Sequence, residues 1–321
     1  MNNTKITFFL LIESFFCDLG NDPEIKVIYK NKVYRSRIFN FFFQLCFSLR
    51  VNSLFPMPLK RFWFKSLFKK AYHPNSKNIF IFYEWWYDSD LLRWLKRKHK
   101  DIVTVLYLDD TITQFKETVG SLSVDRLKEE FDYIFSYNVE DVEKYGFRYT
   151  SAFFSKYKED ELAKDKKSDI CFVGKVKDRG DLIAKIYNKL SGSCDCNFII
   201  CSSEKTNRFP DGITIINKTM PYTEYLSNEI NSNCILEILK EDTASPTFRC
   251  WEAVYYNKKL LTNWKGIRSF AYYNPGFMRY FENENDIDVS FILDKTKPDY
   301  GYKDENSPLS FVDNVKKLVE G

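Results

Sequence analysis

Arg249 and Glu252 stand three residues apart in SPTFRCWEAVYYNKKLLTN (245–263), a spacing that sets both side chains on one side of a helix. Ser245 suits the cap of that helix and Pro246 its first position. The open N–H groups of such a start attract a phosphate or diphosphate, and Thr247 lies in the same turn. Arg249 adds a rigid fork of donors, while Glu252 is a carboxylate of the kind that accepts hydrogen bonds from sugar hydroxyls. The helix feeds an apolar strand at 259–262, and together they outline a site for a nucleotide-sugar. An ordinary surface ion pair has the same spacing and contributes little, so the motif by itself leaves both readings open.

A second phosphate-binding candidate is Gly174, which ends a short apolar strand where ligands of open α/β sheets gather. Lys175 and Arg179 follow it with positive charge, although a plain strand-to-helix turn has the same form. Sugar transfer also needs a base for the attacking hydroxyl. Glu13, Glu84, Asp109 and Asp110 end apolar stretches and are the candidates, each equally suited to capping a helix or carrying surface charge. Trp85 and Trp86, beside Glu84, offer faces for a sugar ring. The two histidines, His73 and His99, read as loop and solvated-face residues. No metal centre is expected. Asp109 and Asp110 are adjacent and point to opposite faces of a strand, and Cys194, Cys196 and Cys201 lack zinc spacing.

The elements that must position these residues alternate between strand and helix, the pattern of doubly wound folds. Strands are expected at 6–12, 78–83, 102–108 and 133–137, with helices at 89–98, 123–130 and 140–145. A Lys-rich polar stretch at 151–168 reads as a linker. A second alternation follows: strand 170–173, helix 181–190, strands 197–201 and 213–216, helix 222–231, strand 235–239, then the helix at Pro246. A last helix at 311–320 belongs to a class that often packs back towards the first domain. The chain of 321 residues has length for two cores. The division expected is 1–150, linker 151–168 and 169–321.

Several segments in order resemble the bacterial GT-B glycosyltransferases of lipopolysaccharide and capsule assembly. They are FDYIFSYNVEDVEKYGFRY (131–149), DICFVGKVKDRGDLI (169–183), YTEYLSNEINSNCILEI (222–238), TFRCWEAVYYNKKLLTN and YYNP (272–275). The resemblance covers about residues 130–280 and implies an α/β fold of two Rossmann-like domains with a cleft between them. It implies that Glu252 contacts the ribose or the sugar and that Arg249 neutralises the diphosphate leaving group. Family members usually carry a Gln and a Gly-Leu before the Thr-x-Arg. Here Thr243, Ser245 and Pro246 occupy those positions, which points to a different sugar or weaker binding. The function expected is transfer of a sugar from a nucleotide-sugar donor to a lipid-linked or lipopolysaccharide acceptor, independent of metal and with no cofactor. The alternative is a non-catalytic membrane-associated envelope-assembly module that kept the fold.

Charge is uneven along the chain. Between Glu24 and Glu84 there is no carboxylate, while Lys and Arg occur twelve times. Within 37–70, Lys60, Arg61, Lys65, Lys69 and Lys70 interleave with Trp63 and phenylalanines. Basic aromatic segments of this kind lie in the headgroup region of anionic membranes. Packed aromatics with solvated cations, or a nucleic-acid patch, are the competing readings. The net charge of +4 demands no nucleic acid, and none is expected as a partner. The run at 6–12 is short for a leader and lacks a cleavage site, so it reads as a buried strand. No run approaches the length of a membrane span. Eight cysteines without regular spacing argue for a reducing compartment. The expected location is cytoplasmic, peripheral on the inner face of the plasma membrane.

Overall fold

The computed structural model describes residues 4–11, 13–54, 57, 60–120, 122–162, 167–176, 178–202, 209–218, 220–239 and 245–321. They form two compact units, residues 1–155 with 306–321, and residues 156–305. Ile12, at the end of the first expected strand, lies outside the described residues, as do 163–166 of the polar stretch. Ahead of those, Ala152, Phe153, Phe154 and Ser155 are buried.

The first unit is built on strands β1 (Thr4–Leu10), β2 (Ile25–Tyr29), β3 (Lys77–Tyr83), β4 (Ile102–Leu108), β5 (Tyr133–Ser136) and β6 (Arg148–Tyr149). All pairings are parallel, in the order β2-β1-β3-β4-β5-β6. Helices cover both faces of a parallel sheet, so its central strands are apolar throughout rather than alternating, as in KNIFIFY and IVTVLYL. The helices are α1 (Arg37–Cys46), α2 (Leu49–Leu54), α3 (Lys60–Ala71), α4 (Ser89–Lys98), α5 (Ile112–Val119), α6 (Val124–Glu130) and α7 (Val139–Tyr145). Their ends follow local chemistry. Asp88 accepts from Leu91 N at 2.9 Å to cap α4, and Gly146 ends α7 at a φ of 68°, a conformation that favours glycine.

The second unit holds β7 (Ser168–Lys175), β8 (Cys196–Cys201), β9 (Thr214–Ile216), β10 (Ser232–Glu237), β11 (Lys259–Thr262) and β12 (Met278–Tyr280). They too pair in parallel, in the order β12-β11-β10-β7-β8-β9. Its helices are α8 (Gly180–Leu190), α9 (Tyr222–Ile230), α10 (Phe248–Tyr255) and α11 (Val289–Leu293). The closing helix α12 (Pro308–Glu320) packs in the first unit, where Phe311 stacks on Phe153 at 4.4 Å between ring centroids.

In both sheets the strand order reverses beside the first strand of the unit, between β1 and β3 and between β7 and β10. The carboxyl ends of those strands are where open α/β sheets take ligands.

Candidate functional site

At the reversal in the second sheet, β7 ends in Gly174 and Lys175, and β10 ends in Glu237. A Cβ built on Gly174 would lie 3.3 Å from a guanidinium nitrogen of Arg179 and 3.6 Å from one of Arg249. Two arginines therefore converge on one bare backbone position. Arg179 is anchored by its Nε, 3.2 Å from Lys175 O, and by a hydrogen bond to Ile238 O. Arg249 donates to Val173 O. Burial, and then the charge of Arg249, lower the Arg179 pKa to about 10. Guanidinium groups are donors of the kind that recognise phosphate and carboxylate. Lys175 is exposed beside them.

The helix carrying Arg249 starts two residues later than expected. Thr247, not Ser245, is the cap of α10, accepting from Arg249 N at 3.3 Å. Thr247 also donates to Glu237, whose other oxygen accepts from Thr262 Oγ1 at 2.5 Å. The threonine at the cap has a buried carboxylate to hold and outcompetes the serine, which is itself buried. Thr243 lies outside the described residues.

Glu252 is on the expected face but fully buried. Tyr222 and Tyr225 hydroxyls donate to its two oxygens, each at 2.9 Å. Beside it lies Glu229, equally buried, 3.3 Å from Arg249 Nε. Burial, and then the neighbouring Glu252 charge, push Glu229 well above the usual carboxyl range, and burial raises Glu252 as well. Burial opposes the Arg249 charge, yet Tyr225, Glu229, Glu252 and Glu237 around it hold the guanidinium ionised. Arg249 is thus positioned by a buried acidic cradle. Glu229, Glu237, Tyr222 and Tyr225 were not singled out from sequence. Their only signal was a carboxylate closing the apolar strand NCILE and two tyrosines three apart on the preceding helix.

At the reversal in the first sheet, Glu84, Asp109 and Asp110 come together. Glu84 follows β3 and is 4% exposed, and its Oε2 accepts from Asp109 N at 3.0 Å and Asp110 N at 3.2 Å. Burial, then Asp109 and Asp110, raise its pKa to about 8. Tyr107 donates to Asp109 Oδ1 at 3.1 Å and Tyr83 to Oδ2. Burial raises Asp109 to about 6, with the two tyrosines opposing the shift. Glu13 is exposed and its partner is Lys32, at 2.7 Å. Trp86 is core, its Nε1 donating to Leu10 O at 2.7 Å, so it offers no face to a sugar, while Trp85 is half-buried.

The basic window divides. Lys60 is buried and paired with Asp88 at 2.7 Å, and so does not face a membrane. The pairing crosses between helices, which spacing along one helix does not reveal. Trp63 packs against Tyr34 and Phe43. Arg61, Lys65, Lys69 and Lys70 are exposed. Among the described residues no helix is long and apolar enough to cross a membrane, and no group of three His, Cys, Asp or Glu is arranged to hold a metal.

No protein-family model and no curated protein sequence matches the chain. Among solved structures, an alpha-glucosyltransferase in complex with UDP and a 13-mer DNA containing an A:G mismatch is similar over 98% of this chain and 99% of that one. Its TM-score is 0.60, at 14% identity. The N-terminal domain of Candida albicans trehalose-6-phosphate phosphatase matches 92% and 90% of the two chains, with a TM-score of 0.50 and 10% identity. The likeness is one of fold: two parallel-sheet α/β units, the make-up of the GT-B fold.

Proposed function

We propose that this chain is a glycosyltransferase that uses a nucleotide-sugar donor. The observation that carries the reading is the convergence of Arg179 and Arg249 on Gly174 at the reversal of the second sheet. A donor diphosphate there would meet two guanidinium groups, the Lys175 ammonium and the capped start of α10. In the reaction the bond from the sugar's anomeric carbon to the diphosphate breaks, and one to the acceptor oxygen forms. The leaving diphosphate keeps the electron pair, and the arginines stabilise its charge without a metal. Glu252 serves by holding Arg249, through Glu229 and the two tyrosines, rather than by touching the sugar.

The first unit supplies the base. Asp109 is the strongest of the four candidates: it is oriented by Tyr83 and Tyr107 and is ionised above a pH of about 6. It takes the acceptor hydroxyl proton as the new bond forms. Glu84, largely protonated at neutral pH, keeps a second negative charge away from it. The acceptor in this reading is lipid-linked or a lipopolysaccharide, made at the cytoplasmic face of the membrane for cell-surface polysaccharide. The acid-free basic stretch between Glu24 and Glu84 supports that location.

The test is thermal unfolding with a panel of nucleoside diphosphates. A ligand at a hundredfold its Kd adds about 2.7 kcal/mol to stability. Stabilisation by one of them, lost in Arg179→Ala, is the expected result. No stabilisation by any of them would leave the non-catalytic alternative standing.

A further inference from the structure

Helix α1 is apolar on two sides. Asn40, Phe43 and Cys46 face the core, while Ile38 (70% exposed), Phe39 (61%), Phe41 (62%) and Phe42 (52%) face solvent. On a helix of 3.6 residues per turn, 38, 41 and 42 share one outward stripe and 39 flanks it. Four large apolar side chains this exposed on one short helix form a patch, not scattered surface residues. Leu54 and Phe62 add further exposed apolar surface in the same unit, at 82% and 73%.

Next in the packing, α3 and α4 enclose a pocket of about 600 Å³. Phe64 and Trp94, 5.9 Å apart, line it, and Phe62 joins them. Arg61, Lys65, Arg93, Arg97 and Lys98 supply five cations against a single carboxylate, Asp90. Asp90 is itself spent on Arg93, 2.7 Å away. Phe47, just past α1, packs on Phe64 at 6.1 Å, so the apolar stripe and the basic pocket sit on neighbouring helices.

We infer that this pair of features is a bilayer-docking site: the α3–α4 pocket takes the phosphate of an anionic phospholipid headgroup while the α1 stripe enters the acyl boundary. An apolar face alone would suit a protein partner, and a basic pocket alone would suit any polyanion. On neighbouring helices of one unit, together they match a surface that is negative outside and apolar beneath. Lys60, buried against Asp88, has no part in it. The inference rests on the membrane-surface part of the reading above and not on sugar transfer.

The experiment is flotation of the full chain with vesicles of phosphatidylglycerol and phosphatidylcholine, or of phosphatidylcholine alone. It compares the parent with Lys65→Gln/Arg97→Gln/Lys98→Gln and with Ile38→Ser/Phe41→Ser/Phe42→Ser. All six positions are exposed, and unchanged thermal unfolding checks each fold. The parent should prefer the anionic vesicles, with binding that weakens with salt. The charge variant should bind them roughly a hundredfold more weakly, from about a fivefold loss per cation. The apolar variant should lose the part of binding that survives high salt.

Equal binding by all three proteins, or no preference for anionic lipid, would overturn the inference. So would stabilisation by inorganic phosphate without flotation, which would make the pocket a free-phosphate site. Retention on duplex DNA without flotation would reassign it to nucleic acid. Unfolding with nucleoside diphosphates, run on the same proteins, reports separately on the donor site.

Discussion

Glu84 couples the chemistry of a single carboxyl to the stability of the first unit. Its folded pKa of about 8 exceeds the ordinary 4.5, so the folded chain binds a proton more tightly than the unfolded one. Stability from this group is therefore full below about pH 4.5 and declines as pH rises to about 8. Glu84→Gln keeps an acceptor for the Asp109 and Asp110 amides and removes the charge. It should melt several degrees above the parent at pH 8.5 and within a degree or two at pH 5, as followed by circular dichroism. The Asp109 proposal makes a different pH statement: turnover should rise through a pH of about 6, and Asp109→Asn should lose a factor of about 100 to 10,000. At the donor site the two arginines separate by mechanism. Arg179→Ala should weaken nucleotide binding by roughly 10- to 1000-fold with little loss of stability, since it removes a charged hydrogen-bond donor at a partly exposed position. Arg249→Ala should do both, because it leaves Glu229 and Glu252 buried without their cation. The Arg249–Glu252 spacing was legible in the sequence. That Glu252 is closed off was not, because Tyr222, Tyr225 and Glu229 come from another helix.

Elements that bury both faces or carry strong caps announce themselves; of the four edge strands among the described residues, only β9 was expected. Strand β4 and helix α4 match their expected bounds, the first an uninterrupted apolar run and the second capped by Asp88. Edge strands β2, β6 and β12 escaped notice, being short or interspersed with Lys and Arg. Helix α5 escaped as well. Helix α1 misleads because its apolar stripe faces solvent while polar Asn40 is buried, so its period does not mark the core side. The basic segment also shows why charge counting along a chain misleads. Lys60 ties α3 to the cap of α4, through the carboxylate that also accepts from Leu91 N. Lys60→Ala should therefore cost about 3 to 5 kcal/mol by leaving Asp88 buried and unpaired. Lys65→Gln and Lys69→Gln should be nearly neutral in denaturant titrations, since both side chains are exposed.

At the scale of the molecule, two parallel sheets with matching reversals make it a GT-B fold, and the alternation of strands and helices carried that much in the sequence. A transferase of this build that stabilises its leaving group with arginines should keep its activity in EDTA. Loss of turnover in EDTA, restored by magnesium or manganese, would contradict that account. One feature of connectivity reaches beyond catalysis. Helix α12 completes the first unit from the far end of the chain, and its Phe311 packs on Phe8, Tyr107, Phe135 and Phe153. On a ribosome adding 5 to 20 residues per second, the intervening 150 or so residues take roughly ten to thirty seconds to emerge. Throughout that interval the nascent first unit presents an unfinished aromatic face, while the second unit, whole in itself, is free to fold. The newborn protein should therefore lean on chaperones, and a released chain ending at residue 305 should hold a second unit that resists protease beside a first that does not.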